Sequence, residues 1–213
     1  MNLVQAANQQ IRKSDLVYYY EKDNVTTTDI INAILYVDST AAQDVAGFAK
    51  HFTKDRQGLR KLFHFVKDNI KYIEDAKFSD TQYIKSPGAL WKMKSGDCKS
   101  YTVFIRAVLQ ALNIPSRIKF VSYYKNKPVT HVYPIATING RDIILDAVYG
   151  YFDQEDHYSY AVEYKKNLIG NYKMTTGTYA KTKAHIGTTN SKSNFSTILK
   201  IAATFTAVYV ISQ

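Results

Sequence analysis

The chain holds one cysteine, Cys98, in the stretch Ser95-Gly96-Asp97-Cys98. A single thiol excludes an intrachain disulfide framework and a multi-cysteine zinc site, so it is either structural or a nucleophile. Apolar residues follow it at helical spacing: Tyr101, Ile105, Val108, Leu109 and Leu112, with Asn113 and Pro115 as a stop. Cys98 is therefore expected in the first turn of a helix. There, unpaired backbone N–H groups and the helix dipole favour an anionic sulfur. Gly96 permits a sharp turn into the helix and keeps the sulfur approachable. Taken alone, such a cysteine reads first as a small buried apolar residue.

A hairpin supplies what the thiol lacks. Asn139-Gly140 lies between two apolar runs, and both positions of such a turn want positive φ. A two-residue loop pairs Ile138 with Arg141, hence Tyr133 with Asp146 and His131 with Val148. His131 and Asp146 then become diagonal neighbours on one face, close enough for an imidazole–carboxylate hydrogen bond. Pro134 lacks an N–H, so an edge or bulge there would shift the pairing by one. A thiol at a helix start, a histidine base and an orienting carboxylate are the parts of a nucleophilic triad. The expected site is thus Cys98, His131 and Asp146, with the Cys98 N–H as an oxyanion donor. Of the other histidines, His51 and His64 lie in helical patterns and His185 in a polar tail. His157 sits in the acidic loop Asp153-Gln154-Glu155-Asp156-His157, read as solvated rather than metal-binding. No HExxH, P-loop or dinucleotide fingerprint occurs, and no cofactor or metal is expected.

The elements that must position these groups follow from periodicity. Thr27 to Val37 reads as a helix entered through a threonine cap, and Thr40 to Phe52 as a second. In a third, Leu59, Leu62, Phe63, Val66, Ile70 and Ile73 share one face, and it ends near Lys71-Tyr72. Ser86-Pro87-Gly88 is expected to break regular structure before Trp91. After the cysteine helix the period changes to two, predicting strands at Arg117 to Tyr124, Thr130 to Ile138 and Arg141 to Tyr149. Helices first and antiparallel strands afterwards indicate an α+β domain: N-terminal helices and a central Cys-bearing helix packed on a small antiparallel sheet.

Composition sets the outer bounds. A length of 213 residues with 46% hydrophobic residues suits about one domain with an appendage and excludes a wholly disordered chain. The net charge of +10 is unevenly placed: Lys165 to Gln213 carries seven lysines and no Asp, Glu or Arg, so the first 164 residues carry only about +3. Between Met174 and Ser196, 13 of 23 residues are Ser, Thr, Asn or Gly, which marks a boundary near Lys165. Three regions are expected: residues 1–54 as a helical extension, 55–164 as the central domain, and 165–213 as a basic linker with an apolar terminal segment. Those lysines lack interleaved arginines, and no specific nucleic-acid binding is expected. The apolar stretch from Ile198 to Ser212 is too short to span a bilayer. A packed element is the plain reading, and docking on a membrane surface or a protein assembly the sharper one. Met1 to Asp15 shows no signal peptide, and a lone thiol suits a reducing cytoplasm.

Three pieces in order make the sequence resemble the transglutaminase-like (papain-superfamily) domain. They are the helix ending Phe65-Val66-Lys67-Asp68-Asn69-Ile70-Lys71-Tyr72; Gly96-Asp97-Cys98-Lys99-Ser100-Tyr101 with its helix, closed by Leu112-Asn113-Ile114-Pro115-Ser116-Arg117; and His131 with Asp146 in Ile144-Leu145-Asp146-Ala147. The resemblance covers roughly residues 55–150 and implies a papain-like or transglutaminase-like core with a catalytic Cys98-His131-Asp146 triad. It also implies acyl transfer or hydrolysis at an amide of a protein or peptide substrate, without a cofactor. An upstream aromatic assists the oxyanion site in relatives, a role open here to Tyr72 or Trp91. Val132-Tyr133 after the histidine and Ala147-Val148-Tyr149 after the aspartate depart from the family pattern. The expected function is a cysteine peptidase. The alternatives are a cross-linking transglutaminase, or a non-catalytic structural or interaction protein, virion- or membrane-associated, that retains the fold.

Overall fold

In a computed structural model of the chain, residues 1–14, 17–21, 26–75, 81–166, 172–174, 184–186 and 201–203 are described. Helix α1 (Leu3–Gln10) opens on an Asn2 cap whose side chain accepts from Gln5 N, with the Gln5 side chain returning to Asn2 N. Strand β1 (Val17–Glu21) precedes α2 (Thr27–Thr40), which Thr26 and Asp29 cap reciprocally. Then come α3 (Ala42–Ala49) and α4 (Arg56–Asn69), the latter capped by Asp55. The amphipathic stripe expected at Leu59, Leu62, Phe63 and Val66 is fully buried.

Three short pieces lead to the cysteine helix. Strand β2 (Lys71–Tyr72) follows α4, and β3 (Thr81–Lys85) pairs antiparallel with β1. Ser86-Pro87-Gly88, expected to interrupt structure, instead starts helix α5 (Pro87–Met93). Ser86 caps it and Pro87 occupies its first position, where a missing N–H costs nothing. Strand β4 (Ser95–Gly96) then pairs parallel with β2. Helix α6 (Cys98–Ala111) follows at once.

The sheet comes last, as expected of an α+β chain. Strands β5 (Ser116–Ser122), β6 (His131–Ile138), β7 (Arg141–Ile144), β8 (Tyr160–Lys166) and β9 (Tyr172–Met174) form one antiparallel sheet in the order β7-β6-β5-β8-β9. Alternation sends Ile118, Phe120, Val132, Ala136, Ile143 and Val162 into the core shared with the helices. The same core takes in Ala6 and Ala7 of α1 and Phe48 of α3, whose ring meets Phe65 at 4.9 Å. The opposite sheet face carries a second, smaller cluster of Val121, Tyr133 and Ile135.

The hairpin differs from its expected form in one respect. Ile138 does pair with Arg141, and Asn139 and Gly140 both take positive φ. The ladder, however, ends at Ile135–Ile144, five residues short of the predicted Tyr149. Pro134 is the physical reason. Leu145 N still donates to Pro134 O at 3.0 Å, but proline has no N–H to return. On the outer edge Asp153 takes over: its Oδ1 accepts from Ile144 N and its own N–H donates to Ile144 O, both at 3.2 Å.

Residues 165–213 lie mostly outside the described residues. There β9 and the antiparallel pair β10 (Ala184–Ile186) and β11 (Ile201–Ala203) are placed. Among the described residues no helix is long and apolar enough to cross a membrane.

Candidate active site

Cys98 is the first residue of α6 and is half-buried. Asp97 caps the helix: its Oδ1 accepts from Lys99 N at 3.1 Å and Ser100 N at 3.2 Å, while its carbonyl accepts from Tyr101 N. The cap does not use the Cys98 N–H. Gly96 is required by close approach, since a Cβ there would stand 2.5 Å from Leu90 Cδ1 and 3.0 Å from Ser100 Cβ. Backbone bonds from Lys71 N to Lys94 O and from Ile73 N to Gly96 O tie the chain just before Cys98 to β2.

His131 opens β6, and Asp146 follows the end of β7. His131 Nε2 donates to Asp146 Oδ2 at 2.7 Å, with the carboxylate, an obligate acceptor, fixing the tautomer. The expected contact is present, but a turn makes it rather than a ladder. Asp146 Oδ1 accepts from Val148 N at 3.1 Å and Tyr149 N at 3.2 Å, so the residue folds the chain over its own side chain and offers Oδ2 to the imidazole. Asp146 is only 1% exposed.

Thr102, one turn after Cys98, donates from Oγ1 to Val132 O at 3.0 Å. The start of α6 is thereby held against the start of β6. The charge of Cys98 acts on the imidazole together with that of Asp146. With Nε2 on Asp146, Nδ1 is the ring nitrogen left for the sulfur. Burial pushes the His131 pKa down, but hydrogen bonds to Asp146 and Cys98 and the charges of both outweigh it, carrying the group up to about 10. Two phenol rings also neighbour the imidazole, with centroids 6.0 Å away for Tyr123 and 5.6 Å for Tyr133. Tyr133 donates to Glu155, which Lys119 also holds at 2.8 Å. The 153–157 loop, expected to be solvated, therefore contributes Asp153 and Glu155 to the framework behind His131.

The two upstream aromatics separate clearly. Trp91 belongs to the helical core: it stacks on Phe65 at 5.2 Å, and its N–H donates to Asn8 Oδ1 at 3.1 Å. Tyr72 packs edge-on against Tyr101 of α6 at 5.8 Å, and its hydroxyl donates to Glu74 Oε1 at 3.3 Å. Burial and the charge of Cys98 raise its pKa, so its hydroxyl remains a donor. Tyr123 is likewise raised by burial and by the charges of Asp146 and Asp156. Sequence reasoning missed Tyr123, and also Lys99, a cation buried beside Cys98. Nothing local marks either one, because their partners lie far along the chain.

His51 bonds Gln10 at 3.0 Å and His64 rests edge-on against Phe63, both away from this site. Among the described residues no group of His, Cys, Asp and Glu is arranged to hold a metal ion.

No curated protein matches the chain. Among solved structures, a protein of Cytophaga hutchinsonii provisionally named a cysteine protease is 18% identical over 90% of this chain and 63% of its own, with a TM-score of 0.43. A protein of Parabacteroides distasonis provisionally named a protease is 15% identical over 59% of this chain and 30% of its own, with the same TM-score. The chain thus spans less than two thirds of either protein's length. A family profile described as a transglutaminase-like domain matches residues 9–175, from α1 through the sheet. The chain belongs to the transglutaminase-like domain family.

Proposed function

We propose that the protein is a thiol-dependent amide hydrolase, a cysteine peptidase, acting on a protein or peptide substrate through Cys98, His131 and Asp146. The observation that carries this reading is the 2.7 Å bond from His131 Nε2 to Asp146 Oδ2, which leaves Nδ1 for the sulfur at the helix start. His131 takes the thiol proton, giving a thiolate–imidazolium pair. The sulfur attacks the amide carbonyl carbon, and the electron pair of the C=O bond moves onto oxygen. The Cys98 N–H, which the Asp97 cap leaves free, is the donor proposed for that developing charge, and the Tyr72 hydroxyl, which donates to Glu74 Oε1 at 3.3 Å, would have to turn from that carboxylate to assist it. As the tetrahedral intermediate collapses, the C–N bond breaks and His131 passes its proton to the departing amine. Water then attacks the thioester carbon, His131 accepting one of its protons; the C–S bond breaks with its electron pair going to sulfur, which releases the carboxylic acid and restores the thiolate–imidazolium pair.

The test is exposure of the protein to a panel of electrophilic peptides, followed by mass spectrometry. Adducts confined to Cys98, lost in Cys98→Ala and His131→Ala, support the reading. Peptide hydrolysis that survives Cys98→Ala overturns it. A lysine-type amine added to the reaction separates the two acyl acceptors: amide product in place of acid would mark a cross-linking enzyme.

A further inference from the structure

Lys99 is an unusual residue for its position. A lysine in the first turn of a helix faces the positive end of the macrodipole, and this one is only 7% exposed, so desolvation acts against it as well. Its placement is nevertheless fixed on three sides. The ammonium bonds Asp97 Oδ2, stands 3.1 Å from Asp75 Oδ2 and donates to Gln82 Oε1 at 3.1 Å. Asp97 is the helix cap, Asp75 follows β2 three residues after Tyr72, and Gln82 lies on β3. One cation therefore joins the helix start, the extension of the Tyr72 strand and a neighbouring strand.

These contacts matter because of what stands between them. Asp97 precedes Cys98 directly, and Asp75 reaches into the same buried cluster. Two carboxylates beside a thiol oppose its ionisation unless a cation offsets them. The other charged or titratable groups around the cluster are Lys85 on β3, whose Nζ donates to Ser95 O at 2.6 Å, Tyr72 on β2, Glu74, which accepts from the Tyr72 hydroxyl at 3.3 Å, Tyr123 and His131. Lys85 is pushed down by burial, whereas Lys99 is held up against its burial by Asp97, Cys98 and Asp75. Lys99 is thus the cation whose charge the carboxylates beside Cys98 sustain.

We infer that Lys99 is a positioning residue of the proposed site, offsetting the charges of Asp75 and Asp97 that would oppose a negative Cys98 sulfur, and pinning the Tyr72 strand to the cysteine helix. This rests on the peptidase reading, since the thiolate matters only if Cys98 is the nucleophile.

The experiment is the rate of Cys98 alkylation by iodoacetamide from pH 5 to 10, measured on the full chain with circular dichroism as a check of folding. In Lys99→Met the onset of reactivity should move up by about one pH unit or more, about tenfold in rate at pH 7. The pair Lys99→Met/Asp75→Asn should recover much of that loss, because one of the uncompensated carboxylates is gone. Asp75→Asn alone should shift the onset to lower pH, a sign that simple loosening of the fold does not produce, and this variant decides the matter if Lys99→Met fails to fold. Profiles of Lys99→Met and Asp75→Asn that superimpose on a reactive wild type would overturn the inference and leave the peptidase reading standing. An unreactive wild-type thiol would overturn that reading instead.

Discussion

Thr102 Oγ1 donates to Val132 O across 3.0 Å, a bond that joins the residue one turn after Cys98 to the residue just after His131. The helix start and the strand start are registered by this contact, and the Cys98 and His131 side chains inherit their separation from it. Thr102→Val keeps shape but leaves the buried carbonyl unpaired. The expected stability loss is about 1–2 kcal/mol. The kcat/KM for peptide hydrolysis should fall, with Thr102→Ser retaining most of both. Urea denaturation and peptide kinetics read the two effects.

Asp146 orients the imidazole and sustains its charge. Asp146→Asn should reduce kcat on the order of 10³-fold while leaving KM nearly unchanged. It should also alter how stability depends on pH. His131 is raised from its ordinary 6.5 to about 10, so its charged form adds stability that is full below pH 6.5 and lost as pH rises through about 10. The stability gap between wild type and Asp146→Asn is therefore expected to be widest near pH 6 and to close by pH 10.5. Denaturant titrations at half-unit steps measure it.

Arg106 lies in the middle of α6, 2% exposed, with one guanidinium nitrogen 3.2 Å from Asp38 Oδ2 of α2 and another on Ser116. Removing one partner of a buried pair strands the other charge. Arg106→Met should cost about 3–5 kcal/mol, and Arg106→Met/Asp38→Leu considerably less. Guanidinium unfolding of the two variants gives the comparison.

Asp153 links two elements: it closes the outer edge of β7 at Ile144, and its Oδ2 accepts from Arg56 of α4 at 2.8 Å. Asp153→Ala should release the segment that leads into the Asp146 turn. Faster amide exchange at Ile144 and Leu145 is expected, together with a several-fold loss of activity and little change in exchange at β5.

The parts of this architecture that depend on neighbours in the chain were readable from the residues. Helix α6 declares itself through the spacing of Tyr101, Ile105 and Val108, and the Asn139-Gly140 turn through its need for positive φ. The place of Cys98 at a helix start and the His131–Asp146 contact are both readable from those two elements. Contacts between distant segments were not readable. The Ser86-Pro87-Gly88 stretch looks like a break, yet Ser86 and Pro87 are also a helix cap and a first-turn residue, and only the packing of Leu90 and Trp91 decides between the two. Strands β2 and β4 are two residues each and carry no period. Pro134 marks an obstacle to the ladder by its missing N–H, but the role of Asp153 at the edge of β7 depends on a loop nine residues beyond Ile144. Lys99 shows nothing in its own neighbourhood, because Asp75 and Gln82 are brought to it by the fold.

The central claim is that a buried imidazole is held charged by Asp146 on one side and the Cys98 sulfur on the other. Titration of the His131 ring by heteronuclear NMR addresses it most directly, with Cys98→Ala and Asp146→Asn as references. The account predicts that the wild-type ring titrates near 10, with a clear drop in each variant. A ring that titrates near 6.5 in all three proteins would contradict it.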